Sequence, residues 1–329
     1  MPRVTRRLAL GAILVLAALP MAAPVAAKDS AKAEHDRIVA YWTPARMASA
    51  VPRDFVKSGG KVVPNAKPAK PPVGGGGGGV TGASWTGSNP IVARSGKVFF
   101  TMGTTRYVCS GSVADDSRED LSLVLTAGHC AYDEVAHKFA TNWMFIPAYD
   151  AAPTQTCAQT MYGCWTAQAL VVHNGFATAG GFNAQAIVHD FAFAVVGAGA
   201  VPNGAEQELD VAVGSYPLAT NVSSGNKLYA FGYPAAGRYR GKDLVYCAGN
   251  IFADPYAGNQ TWGMTCNMTG GSSGGPWLSG FEGSAPALSS LNSYGRQGLP
   301  NMYGPKFNAN TEAVYNAAGG ATTTDVIVH

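Results

Sequence analysis

Two short stretches of this 329-residue chain, Thr126-Ala127-Gly128-His129-Cys130 and Gly271-Ser272-Ser273-Gly274-Gly275-Pro276, hold side chains suited to covalent chemistry. A serine hydroxyl is a weak nucleophile. It needs a base to take its proton, and that base needs an acid partner to fix its tautomer and support the imidazolium. The tetrahedral intermediate also needs backbone N–H donors aimed at its oxyanion. Glycines around Ser273 suit that need, because a residue without Cβ tolerates the dihedrals of a tight turn and leaves its N–H open. Ser273 is therefore expected to be a nucleophile, His129 its general base, and the N–H groups of Gly271 and Ser273 an oxyanion hole.

The serine stretch also reads as G-x-S-x-G, the strand-to-helix elbow of α/β-hydrolases. Such a serine is followed by its acid and then its histidine. After Ser273 the only histidine is His329, the last residue of the sequence given. The order His129, acid, Ser273 is the opposite one, and it requires a carboxylate between the two. Asp133, Glu134, Asp150, Asp190, Glu206, Glu208, Asp210, Asp243 and Asp254 are the candidates. Most sit among turn and polar residues. Asp190 instead opens Asp190-Phe191-Ala192-Phe193-Ala194-Val195-Val196, an apolar run of strand length. A carboxylate against such a strand is partly buried and must be paired and hydrogen-bonded. The Nδ1–H of His129 is the expected partner; a loop cap is the alternative role for Asp190.

Around these residues the chain resembles the trypsin/chymotrypsin-type serine endopeptidases, in the secreted bacterial branch with glutamyl endopeptidase-like and streptogrisin-like enzymes. Val108-Cys109-Ser110-Gly111-Ser112-Val113 resembles the strand carrying the first cysteine of that family's histidine-loop disulfide, with Cys130 as its mate. His129, Asp190 and Ser273 match the base, acid and nucleophile. Asn292-Ser293-Tyr294-Gly295 resembles the segment that pairs with the substrate backbone, and the resemblance implies that Ser293 bonds Asp190. It covers residues 80–318 approximately. One departure is Ser272, where zymogens of the family often carry an Asp that pairs with a newly cut N-terminus. Neither Ile38-Val39 nor Ile91-Val92 would find that partner, so any activation must proceed differently.

The N-terminus has a leader pattern. Arg3, Arg6 and Arg7 precede the apolar stretch Leu8–Leu19, and small residues follow to Ala27. This predicts a signal peptide over 1–27, hence a secreted protein. A membrane anchor fits less well, since the apolar core falls short of about 20 residues and prolines interrupt it. Arg6-Arg7 leaves the choice between general and twin-arginine export open. Residues 28–79 read as a pro-segment and linker: Glu34–Met47 could be a short amphipathic helix, Lys61–Val73 is rich in Pro and Lys, and Gly74–Gly79 is a six-glycine tether. An accessory linker without inhibitory or folding role fits the composition equally well.

The net charge of +3 is concentrated in these parts. Residues 1–79 hold 12 of 23 Lys/Arg and 4 of 20 Asp/Glu, which leaves 11 − 16 = −5 from residue 80 onward. An acidic body argues against a nucleic-acid partner. The expected partner is a protein or peptide substrate, with no membrane once the leader is gone, and the protein is expected to be a monomer. Six cysteines behind a leader predict three disulfides. Of fifteen connectivities, Cys109–Cys130, Cys157–Cys164 and Cys247–Cys266 are favoured. No Cys-x-x-Cys pair occurs and the histidines are scattered, so neither a metal nor any other cofactor is expected.

From residue 96 onward, short β-rich runs are punctuated by Gly, Asn, Asp and Pro. They include Lys97–Thr101, Tyr107–Val113, Ser122–Thr126, Trp143–Pro147, Ala169–His173, Asp190–Val196, Lys227–Gly232, Leu244–Ala248, Trp262–Cys266 and Pro286–Ser293, with one short helix over Thr311–Ala318. The expected fold is all-β, a chymotrypsin-like double β-barrel over 80–329 behind a disordered or weakly structured N-terminal pro-segment, with the site in the cleft between barrels. The primary pocket should be walled by Asn267–Gly270 and Asn292–Arg296. Thr269, Asn292, Ser293, Tyr294 and Gly295 are the expected substrate-binding residues. No acid lies in these walls, so a Lys/Arg preference lacks its counter-charge. Asn292, Thr269 and Arg296 could instead read a glutamate; a small, polar or uncharged side chain is preferred. An inactive extracellular binding module and an esterase on the same fold are the competing readings.

Overall fold

The structure, a computed structural model, describes residues 23–58, 61–64, 79–87, 90–150, 156–200 and 206–329. The expected leader over 1–27 lies outside these residues up to position 22, as do all of 65–73 and the tether up to Gly78.

The chain begins with helix α1 (Ala23–Tyr41) and the single turn α2 (Pro44–Ala48). One helix was expected over Glu34–Met47, and the break falls at Pro44, which has no N–H to continue α1. Thr43 caps the new turn by accepting the Arg46 N–H. Two strands follow, β1 (Val51–Pro52) and β2 (Phe55–Ser58), then β3 (Lys61–Pro64) hairpinned back on β2. β4 (Val80–Ser84) comes next in the chain.

The first barrel is built from β5 (Ser95–Met102), β6 (Thr105–Ala114), β7 (Ser122–Thr126), β8 (Thr141–Pro147), β9 (Trp165–His173) and β10 (Ala192–Val196). They pair in the order β6-β5-β8-β9-β10-β7, and β7 pairs again with β6 to close the ring. Every residue of β7 and β10 is buried. Continuous apolar runs such as Ala192–Val196 suit strands covered on both faces.

The second barrel uses β11 (Lys227–Gly232), β12 (Val245–Asn250), β13 (Phe252–Ala253), β14 (Thr261–Thr265), β15 (Pro276–Ser279), β16 (Ala287–Leu291), β17 (Tyr294–Arg296) and β18 (Asn301–Pro305). One sheet runs β16-β15-β11-β12-β4 and the other β13-β14-β18-β17-β2-β3. Leu228, Ala230, Val245, Trp262, Met264 and Trp277 fill the space between them. The disulfide Cys247–Cys266 staples the two sheets, and Cys109–Cys130 and Cys157–Cys164 are formed as well. The chain closes with helix α3 (Ala309–Gly320), capped by Asn308 and Thr311, and strand β19 (Val326–Val328) against β9. The fold is the expected chymotrypsin-like double β-barrel.

Two features of the N-terminal part bear on the site. β4 is an integral strand of the second barrel, antiparallel to β12, and Trp85 just after it packs edge-on against Phe231, Tyr246 and Phe281. Of the described residues upstream of the glycine run, α1 packs on β8 and β9 of the first barrel, β1 pairs with β6, and β2 pairs with β17 of the second. Ile38 and Trp42 of that segment are buried, with the Trp42 ring 5.4 Å from Phe99 and its Nε1 donating to Asn142 O. Among the described residues no helix is long and apolar enough to cross a membrane.

Candidate active site

His129 stands on a single 3-10 turn, Gly128–Cys130, at the end of β7. The Cys109–Cys130 disulfide ties that turn to β6. Asp190 lies just ahead of β10, the antiparallel neighbour of β7. The pairing of Thr126 with Ala192 places the histidine turn beside the aspartate. Asp190 Oδ1 accepts the His129 backbone N–H at 2.8 Å, and its Oδ2 lies 2.8 Å from His129 Nδ1. Both side chains are fully buried. Ser293 Oγ donates to the same Oδ2. Three donors on one buried carboxylate fix the ring with Nδ1 toward the acid. Nε2, the atom left to do chemistry, is buried and has no hydrogen-bond partner among the described residues.

Ser273 sits in a turn whose glycines are conformationally required. Gly271 has φ +94° and Gly274 φ +82°, a region that side chains strain to enter. A Cβ on Gly274 would lie 2.3 Å from Thr126 Oγ1, and one on Gly271 2.8 Å from Ala235 Cβ. The turn thus packs directly on the first barrel, beside the strand that ends in His129. Ser110 is a brace that sequence reasoning missed. Its N–H donates to Ser273 O (2.7 Å), its Oγ donates to Gly271 O (2.8 Å) and accepts from the Tyr233 N–H (2.9 Å). Its position next to Cys109 was the available signal.

The remaining expected residues divide by what their atoms already hold. Asn292 is fully buried, donating to Phe231 O and Ser272 O and accepting from Trp277 Nε1. Thr269 Oγ1 donates to Ala236 O. The Tyr294 ring stacks on Tyr303, and its hydroxyl donates to the buried Asp254. Arg296 pairs with the same Asp254 at 2.6 Å. These side chains therefore shape the wall from behind, while the main chain of Gly295–Arg296 pairs with Val56–Lys57 of β2. Ser272 Oγ donates to Thr269 O, and Ile91 is the buried residue of the short turn Ile91–Arg94. The sole metal-like cluster among the described residues, Cys109, His129 and Cys130, has both sulfurs in one disulfide and no thiolate to offer.

A residue outside the expected set occupies the centre of the cleft. Ser273 Oγ donates to Asp54 Oδ1 at 2.9 Å, and the Gly271 N–H donates to the same oxygen at 3.3 Å. Burial pushes the Asp54 carboxyl above its ordinary range, and the nearby His129 and these two donors only partly offset that. The Gly271 N–H is thus turned into the cleft although position 272 has no acid. Next to Asp54, the Phe55 ring stacks on Phe182 at 4.1 Å and meets the His129 ring edge-on at 5.3 Å.

No protein-family model and no curated protein sequence matches the chain. Solved structures do. The protease Anisep from Arthrobacter nicotinovorans is 38% identical, with 73% of this chain and all of that one aligned at a TM-score of 0.61. A thermostable serine protease, AL20, from an extremophilic microorganism is 37% identical over 71% of this chain and all of its own, also at 0.61. A Glu endopeptidase shares the fold at 18% identity and a TM-score of 0.54. With a buried Asp190–His129 pair, a glycine-flanked Ser273 and full-length coverage of two serine proteases at such identity, the chain belongs to the trypsin/chymotrypsin-like serine proteases.

Proposed function

We propose that this protein is a secreted serine endopeptidase that cleaves peptide bonds through an acyl-enzyme intermediate, with His129, Asp190 and Ser273 as its triad. The observation that carries the reading is the hold of Asp190 on His129, which grips both the backbone N–H and Nδ1 and leaves Nε2 free as a base. His129 takes the Ser273 proton as Oγ attacks the scissile carbonyl. The developing oxyanion is received by the N–H groups of Gly271 and Ser273, and the imidazolium, supported by Asp190, then protonates the leaving amine. Water repeats the sequence on the ester. The direction of the Gly271 N–H, which reaches Asp54 Oδ1 beside Ser273 Oγ, favours turnover over the inactive binding module, because the oxyanion donor faces the nucleophile without an ion pair at position 272.

Thr269, Asn292 and Arg296 are each committed to internal partners, which supports an uncharged side chain rather than glutamate at the scissile bond. The apolar leader sequence and three disulfides support export, and residues 28–79 are proposed to be a removable pro-segment ahead of β4. The test is covalent labelling of the processed enzyme by a fluorophosphonate. Label on Ser273, lost in Ser273→Ala together with a fall of about a million-fold in kcat, is expected. Full activity in Ser273→Ala would end the reading, and matched ester and amide substrates separate an esterase from a peptidase.

A further inference from the structure

We propose that residues 51–57 are an autoinhibitory strap laid across the catalytic cleft, in which the Asp54 side chain takes the place of the oxyanion. The proposal rests on the peptidase reading and adds its regulation. The nucleophile and the oxyanion donor converge on one oxygen, Asp54 Oδ1, at 2.9 and 3.3 Å. A substrate carbonyl cannot occupy that point while the carboxylate does.

The flanks show why the carboxylate stays there. On one side, β1 pairs with β6, Val51 opposite Tyr107 and Pro52 opposite Val108. On the other, β2 pairs with β17, Val56 opposite Gly295 and Lys57 opposite Arg296. The strap therefore spends its main-chain hydrogen bonds on both barrels and covers the Gly295–Arg296 edge that an extended substrate would need. Arg53 anchors the middle. Its guanidinium meets Glu134 Oε2 at 2.9 Å and donates to the carbonyls of His129 and Tyr132. Glu134 is 1% exposed, so the pair is sheltered from water, where charge-assisted bonds are strongest. Phe55 and Phe182, stacked on each other, both meet the His129 ring edge-on, and the base is fully buried. Gly270 completes the fit, since a Cβ there would fall 1.5 Å from Asp54 Oδ2.

The strap also resists the enzyme it blocks. What the Gly271 N–H holds is a side-chain carboxyl, not a peptide carbonyl. Addition of Ser273 Oγ to that group has no amine to expel, so no main-chain bond breaks. Closure is a competition for the cleft, reversed when the segment leaves.

The experiment compares the intact full chain with the same chain cut in the Gly74–Gly79 run and separated from the released segment by chromatography. Fluorophosphonate labelling of Ser273 is followed in time, with intact and cut species resolved by mass. A strap closed about 99% of the time slows labelling about 100-fold in the intact wild type relative to the cut enzyme. Asp54→Ala and Phe55→Ala are expected to bring the intact chain to within several-fold of the cut enzyme. Intact wild type that labels as fast as the cut enzyme overturns the proposal, as does a folded Asp54→Ala chain that stays slow. If the cut enzyme itself fails to label, the peptidase reading falls. Amide exchange at Gly271 and across 294–296 then decides the strap: protection in the intact chain that disappears on cutting supports it, and equal exchange removes it.

Discussion

Two carboxylates serve the cleft, Asp190 bonded to His129 and Asp54 bonded to Ser273, and their surroundings differ sharply. Asp190 belongs to the first barrel, is fully buried, and receives three donors from His129 and Ser293. Asp54 arrives on the N-terminal segment and receives two, from Ser273 and Gly271, while its Oδ2 is buried with no partner among the described residues. A buried carboxylate with both oxygens hydrogen-bonded is a fixture; one with an oxygen left bare in a dry site carries part of its desolvation cost uncompensated. The comparison suggests that the number of donors separates a permanent part from a removable one. The acid behind His129 is built to stay, and the acid in front is held firmly enough to block but incompletely enough to leave.

The comparison can be broken hardest at Asp190. Asp190→Asn in the processed enzyme should lower kcat about 10⁴-fold, because an amide can hold the imidazole in the wrong tautomer. Peptide hydrolysis at saturating substrate measures it, and a loss under tenfold would show that Asp190 is dispensable. Ser293→Ala removes one of the three donors. A charge-assisted bond of about 1.5 kcal/mol translates to roughly tenfold in kcat with KM little changed. An unchanged kcat would reduce Ser293 to packing.

Asp54 gives the pH signature. Its carboxyl is raised in the closed state, chiefly by burial. Closing therefore favours the protonated acid, so the closed state is strongest at low pH and weakens as pH rises from the ordinary carboxylate range through the raised value. The charged and titratable groups around it act with known sign. His129 opposes the shift, Arg53 beside it is taken up by Glu134 and Asp133, and Asp190 lies behind the imidazole. Labelling of the intact chain should accelerate with pH relative to the cut enzyme, a dependence that Asp54→Asn removes. Acceleration on acidification instead would contradict the assignment.

A further effect lies away from the cleft and touches stability, not turnover. Lys97 is buried, donates to Gly241 O, and is lowered to about 8 by burial. The unfolded chain then binds one more proton between pH 8 and the ordinary lysine value, so stability should rise across that window. The rise is worth roughly 3 kcal/mol if the whole shift is realised. Denaturant midpoints of the cut enzyme measure it, and Lys97→Met should flatten the slope.

How much of this was legible in the sequence depends on how local the signal is. Ser122–Thr126 and Lys227–Gly232 were readable as strands to the residue, because short runs rich in apolar and β-prone residues are bounded there by polar and turn residues. Asp190–Val196 was readable as a strand, yet the pairing begins at Ala192, since Asp190 faces the His129 turn rather than a neighbouring strand. Asp54 was not legible at all. It is one acid among basic and Pro-rich residues, and its meaning comes from a contact 219 positions away. Ile38, Trp42 and Met47 hid a similar lesson. The sequence offered them as one face of a short amphipathic helix without saying what that face would cover, and all three are buried in the hydrophobic core. The segment draws its structure from the surface it covers.

Strap and barrels are joined in one polypeptide, and that covalent link sets how inhibition depends on concentration. While the join is intact, the blocking group is always present at a high local concentration, and diluting the protein cannot open the cleft. A single cut between β3 and β4 converts the same contacts into an ordinary two-body complex, whose occupancy falls as the pieces spread apart. Release into a large volume would then complete what the cut begins, so the enzyme would gain activity by leaving the place where it was made.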